Sequence, residues 1–261
     1  PLPLPDTHFR PVSPDRLPKN QTTPAVAILL THVAPRAATL SLIQDRVPSL
    51  VGLALHPSPI PDESALIIDH LVSKGHEIIT MLPLEPLSFP QNDGGAGTLL
   101  TGLKTIDHEQ RLDGHLKKRP MVRGIMPFLG SRFLGSKSDM VILLDALKKR
   151  QLMYVDPAPL PSGVAIDLCP NQGSTLPACI VSGLRLPGFF SLGFDGNFTD
   201  LVLKIHRLGS VLLYAENNGD NNHHMDRLMT GLRASGIQIV PLSLLPTYGG
   251  RGTATGQSMA P

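Results

Sequence analysis

The residues of this chain whose types could do chemistry stand where short apolar runs end: His32, Glu85, Ser131, Arg132, Asp156 and Glu216. An imidazole can ligate a metal or carry a proton, and a carboxylate can ligate or act as a general base. A guanidinium can grip a sugar hydroxyl or an acidic substituent through paired N–H donors. Arg132 and Asp156 could equally pair with each other and hold strand ends together. Taken singly, each is also an ordinary loop residue or helix cap; it is their shared placement that defines a candidate site. No residue among them is singled out as catalytic.

Other chemistry is sparse. Asp220, His223 and His224 lie close together, but adjacent histidines on a helix point about 100° apart and share one ion poorly. A helix start with surface histidines is the expectation there. Gly94-Gly95-Ala96-Gly97 lacks the Lys-Ser/Thr ending of a phosphate loop and reads as a flexible flap. There is no Gly-x-Ser-x-Gly elbow and no Cys–His pair in a suitable context. The runs Lys117-Lys118-Arg119 and Lys148-Lys149-Arg150 read as solvated helix ends. Cys169 and Cys179, the only cysteines, are a disulfide or two free thiols; two cysteines alone do not fix the compartment.

The elements that must position these residues come from the hydrophobic period. Ala25–Leu30 and Val51–Leu55 read as buried strands, 62–74 as a helix ended by Gly75, and Glu77–Leu82 and Met121–Ile125 as strands. A helix capped by Ser138 follows, with Met140, Leu143, Leu144 and Leu147 on its apolar face. Then come strands at 153–156 and 178–182, a helix at 197–207, a strand at 211–215, a helix at 223–234 and a last strand at 237–241. Strand and helix in repeated alternation mean an α/β fold with a parallel sheet and crossover helices. An incomplete or distorted (β/α) barrel fits this count better than an open sheet. In either architecture ligands bind at the C-terminal ends of the strands.

Length and composition bound the rest. The 261 residues carry a net charge of +2, too little to favour nucleic acid or anionic lipid. Aromatic residues are 4% with no Trp, which disfavours base-stacking platforms. The apolar share is 41% without any run long enough to span a membrane. The 24 Gly and 26 Pro mean many turns. Residues 1–24 are Pro-rich and read as an N-terminal arm, 25–246 as one domain, and 247–261 as a flexible tail. The opening Pro1-Leu2-Pro3-Leu4-Pro5 has the look of a mature fragment, with any targeting segment outside it.

Four segments in register carry a family resemblance: Gly75-His76-Glu77, Leu82-Pro83-Leu84-Glu85-Pro86, Gly130-Ser131-Arg132-Phe133 and Tyr154-Val155-Asp156. Together, over about Ala25 to Leu245, the chain resembles the divergent polysaccharide deacetylases, bacterial envelope proteins with a deformed (β/α) barrel. The resemblance implies a polysaccharide-deacetylase-like fold and a periplasmic or cell-envelope location. It also implies a metal-dependent hydrolase, and here the residues depart. Two aspartates expected at the end of the first strand fall on Thr31 and His32. A histidine expected before Leu82 falls on Met81. An Asn-Asn-His-Met segment falls on Met126-Pro127-Phe128-Leu129, and a Gly-His-Pro-His segment on Ala215-Glu216-Asn217-Asn218.

A zinc deacetylase needs about three N or O ligands, an open coordination position and a base. Thr31 is no base at neutral pH, and Met81 and Phe128 do not ligate such a cation. The first expectation is therefore a family member that has lost the hydrolytic metal site and works in glycan binding or as a scaffold, with no cofactor. The alternative is an active deacetylase of N-acetylated glycans with zinc in a site rebuilt around His32. A third is a structural protein-interaction domain of the envelope. The expected partners are a glycan or an envelope protein, not nucleic acid.

Overall fold

The computed structural model describes residues 23–95, 97–119, 121–169, 179–186, 195–217 and 224–245. The arm read at 1–24, apart from its last two residues, and the tail read at 247–261 lie outside the described residues, as do Asp220 and His223.

Within them, strands and helices alternate: β1 (Ala25–Val33), α1 (Ala37–Arg46), β2 (Val51–Leu55), α2 (Asp62–Ser73), β3 (Ile78–Leu84), α3 (Thr105–Leu116), β4 (Val122–Leu129), α4 (Lys137–Lys149) and β5 (Met153–Val155). They continue with α5 (Ala165–Leu168), β6 (Cys179–Ile180), β7 (Leu184–Arg185), α6 (Asp195–Leu208), β8 (Ser210–Glu216), α7 (Met225–Ala234) and β9 (Gln238–Ile239). All pairings are parallel, in the order β6-β5-β4-β3-β2-β1-β8-β7, with β9 added beside the start of β1. The fold is the α/β, distorted (β/α) half-barrel expected from the sequence.

The central strands are apolar on both faces because both are covered. Along β1, Ile28 and Leu30 face the layer of helices, while Ala27 and Leu29 face the inside of the curve. That inner core also takes Ala54, Ile79, Met81, Met153 and Leu212, and Leu242 and Leu245 close its N-terminal end. The two edges of the curled sheet approach each other at Gly183, just before β7. A Cβ there would lie 2.9 Å from the Tyr214 ring on β8 and 3.1 Å from Pro157 beyond β5.

Several boundaries differ from the sequence reading. The strands run on past their apolar runs, so Thr31, His32, Pro83 and Phe128 lie inside the C-terminal ends of strands and not in the loops after them. Pro127 is tolerated because β5 pairs with β4 only as far as Ile125. The residue at the start of α4 is Ser136, whose hydroxyl bonds the Asp139 carboxylate, while Ser138 lies inside the helix. The glycine-rich flap is fastened: Asp93 accepts from Gly95 N–H at 3.1 Å, and Leu99 pairs with the end of β3. Arg119 is buried at 5% exposure, not solvated. Cys169 and Cys179 are joined as a disulfide, with Cα atoms 5.8 Å apart.

Candidate functional site

The C-terminal mouth of the half-barrel gathers the residues read from the sequence, but into separate groups. A bulge sets the first. From Leu30 to Val33 the register on β1 advances by one residue more than on β2, where Leu53 and Leu55 are the partners. The extra residue is His32, with φ of 57° in the left-handed region that bulky residues avoid. The bulge turns His32 out to solvent while Val33 returns to the core. The His32 Nδ1 lies 3.1 Å from Thr31 Oγ1, and Thr31 Oγ1 donates to the Ala215 carbonyl at 3.3 Å.

Beside His32 stands a second imidazole, His56, just beyond β2. Both rings meet Phe128 edge-on, with centroids 6.4 Å (His32) and 4.9 Å (His56) from the phenyl. His56 Nδ1 receives the Ser58 N–H at 3.3 Å and lies 2.6 Å from Ser58 Oγ, so its neutral form carries the proton on Nε2. Burial, with added repulsion from His32 and Arg119, holds the His56 pKa below the usual imidazole value.

Glu85, Ser131 and Arg132 form the second group, tied to one another and to nearby loops. Glu85 Oε2 accepts from Thr101 N–H at 2.6 Å and from Thr101 Oγ1 at 2.7 Å; Oε1 faces Arg132 Nε at 3.5 Å. The Glu85 carbonyl accepts from the N–H groups of Arg132 and Phe133, each at 3.1 Å. Ser131 Oγ accepts from Leu87 N–H at 2.9 Å. Gly130, with φ of 92°, makes this approach possible, since a Cβ there would sit 2.8 Å from the Leu84 side chain. These residues are a clasp joining the ends of β3 and β4. The carboxylate partner of Arg132 is Glu85, not Asp156.

The third group lies across the seam. Asp156 is 7% exposed, and Tyr154 Oη reaches its Oδ2 at 3.4 Å. Burial pushes the Asp156 carboxyl up to about 6, opposed by hydrogen bonds from the Ala158 backbone and Tyr154. Tyr214, on the inner face of β8, is raised mainly by burial and lies in the fields of Arg185, Asp156 and Glu216. Glu216 pairs with Arg185 at 3.0 Å, both side chains more than half exposed. Carboxyls flank the imidazoles on both sides: Glu216 is the register partner of Thr31 on β8, and Glu85 stands just beyond β3.

His56 and Tyr214 escaped the sequence reading, which named Phe128 only as a residue unable to ligate. The signal for His56 was present, since Leu55-His56-Pro57 ends the second apolar run as Thr31-His32 ends the first. The family resemblance implies a metal, and its donors can be tested. Among the described residues no three His, Cys, Asp or Glu side chains are placed to hold a cation. The positions where ligands and base are expected hold Thr31, Met81 and Phe128. This donor set does not fit a hydrolytic metal. A cavity of about 350 Å³ lies at the other end of the strands, lined by His76, Glu77, Arg123, Gln151 and Ser243.

Comparison with known proteins agrees with this architecture. The uncharacterized protein ATU2773 of Agrobacterium tumefaciens C58 superposes with a TM-score of 0.72 at 22% identity, over 88% of this chain and 92% of that one. A mutant of BA3943, described as a CE4 family pseudoenzyme with restored enzymatic activity, superposes with a TM-score of 0.50 at 10% identity, over 86% of this chain and 68% of that one. At these identities the likeness is one of fold. No curated protein matches the sequence. Residues 45–245 match the family described as divergent polysaccharide deacetylase, and with its half-barrel and strand-end segments the chain belongs to that family.

Proposed function

We propose that this family member binds envelope glycan at the C-terminal mouth of its half-barrel and does not hydrolyse it through a metal. The donor set carries the reading: Thr31, Met81 and Phe128 stand at the positions of expected ligands and base, and His32 and His56 have no third ligand beside them among the described residues. The half-exposed Arg132 and the protonatable Asp156 offer polar contacts to sugar hydroxyls, and Phe128 offers an apolar edge. A periplasmic or envelope location goes with this proposal. The Cys169–Cys179 disulfide favours an oxidising compartment. Among the described residues no helix is long and apolar enough to cross a membrane.

The test is calorimetric titration of chelator-treated protein with zinc, and separately with chitooligosaccharides and peptidoglycan fragments. Saccharide binding at millimolar concentration or tighter, with no stoichiometric zinc, is the expected result. Zinc bound near one equivalent with micromolar affinity, lost in His32→Ala together with acetate release, would replace this reading with a rebuilt deacetylase. Absence of binding to every fragment would end the glycan role.

A further inference from the structure

We propose that the His32–Phe128–His56 cluster is an anion subsite that seats a carboxylate or phosphate group of the ligand, with Arg119 behind it as a positioning residue. The inference rests on the glycan-binding reading and narrows it to saccharides bearing a negative charge.

Four observations support it. First, the titratable groups acting on His56 are His32 and Arg119, and both are basic. Second, Arg119 is 5% exposed and spends its guanidinium on backbone oxygens, with Nη2 donating to Ser58 at 2.6 Å and to His56 at 3.4 Å. Its Nε is buried without a partner, and among the described residues it pairs with no carboxylate. A buried cation without a counter-charge projects its field onto the loop that holds His56. Third, Ser58 occupies His56 Nδ1, so the Nε2–H remains as a donor. Fourth, Thr31 Oγ1 gives its proton to the Ala215 carbonyl and so accepts from His32 Nδ1–H. The carboxylate beside this strand end, that of Glu216 in register with Thr31, is paired with Arg185. Both rings meet the Phe128 ring edge-on, which supplies an apolar contact at the site. A neutral sugar hydroxyl gains little from such a place, whereas an oxyanion gains charge-assisted hydrogen bonds.

Proton uptake at His56 and anion binding then reinforce each other. Burial, His32 and Arg119 oppose the charged form of His56, and an oxyanion offsets them. Binding should tighten as the pH falls from about 8 to about 6.

The experiment follows the histidine ring resonances by NMR while the intact protein is titrated with inorganic phosphate, glucuronate, N-acetylglucosamine and, separately, zinc. The expected result is that phosphate or glucuronate shifts the His56 resonances and raises its titration midpoint. Glucuronate should bind about tenfold or more tightly than the neutral sugar. His56→Gln and His32→Gln should each remove that preference while leaving the thermal midpoint near that of the parent chain. Arg119→Lys, which keeps the charge, should retain more of the preference than Arg119→Gln. Response to phosphate alone would locate the anion site and show that its source is not a sugar acid. Equal binding of neutral and acidic sugars would overturn the anion subsite and leave glycan binding standing. Shifts with zinc but with neither anion would overturn both.

Discussion

Burial at the end of β5 moves the Asp156 carboxyl from an ordinary 3.8 to about 6. The folded chain therefore holds this proton more tightly than the unfolded chain does. The resulting stabilisation is complete below about pH 4 and is lost as the pH rises through about 6. A displacement of that size corresponds to roughly 2–3 kcal/mol as an upper figure. Asp156→Asn, which cannot ionise, should gain about 2 kcal/mol on the parent chain between about pH 4 and pH 7, read from urea denaturation at each pH. A difference that stays flat across that window would rule out burial of the charge as the cause. At the same scale, His32 keeps a bulky side chain at φ 57°, where glycine would be less strained. Neither feature could be read from residue types. Asp156 was legible as a strand-end carboxylate, but its burial is a product of the fold. His56 and Phe128 become a pair only when β2 and β4 are laid either side of β3.

Between elements, the clasp around Glu85 ties the loop at Thr101 to the start of the turn after β4. Glu85→Ala would leave the Thr101 N–H and hydroxyl without their acceptor and free the Arg132 guanidinium. The expected loss is about 2–3 kcal/mol, against less than about 1 kcal/mol for Arg132→Ala, whose side chain is half exposed and screened. Chemical denaturation of the two variants checks the asymmetry, and equal losses would contradict it. The elements themselves were unevenly legible. β2 and α2 were read nearly to the residue, because their apolar runs end at Pro or Gly signals. α3 was missed because only His108 and Leu112 of its twelve residues are buried, and a histidine does not register as apolar. That histidine is fixed by tertiary structure: its Nε2 meets the buried Asp139 carboxylate of α4 at 3.1 Å. β7, of two residues, has no period to read.

For the molecule as a whole, β1 is the strand on which the sheet is assembled. It pairs with β2 on one side and with β8 from Ala25 to Thr31 on the other, and β9 joins at Ala25 and Val26. A chain ending at Gly209 would lack β8, α7 and β9 and expose one edge of a strand whose residues are otherwise buried on both faces. It should show no cooperative thermal transition by circular dichroism, whereas the full chain should show one. A cooperative transition in the truncated chain would mean that β1 to β6 form a core by themselves. The pairing also orders events in time. β1 finds β2 nearby in sequence but β8 and β9 only far along the chain, and such long-range closure is intrinsically slow. Until β8 is in place the open edge of β1 can accept a strand from another copy, so the pairing that completes the sheet is also the one that guards the chain against self-association.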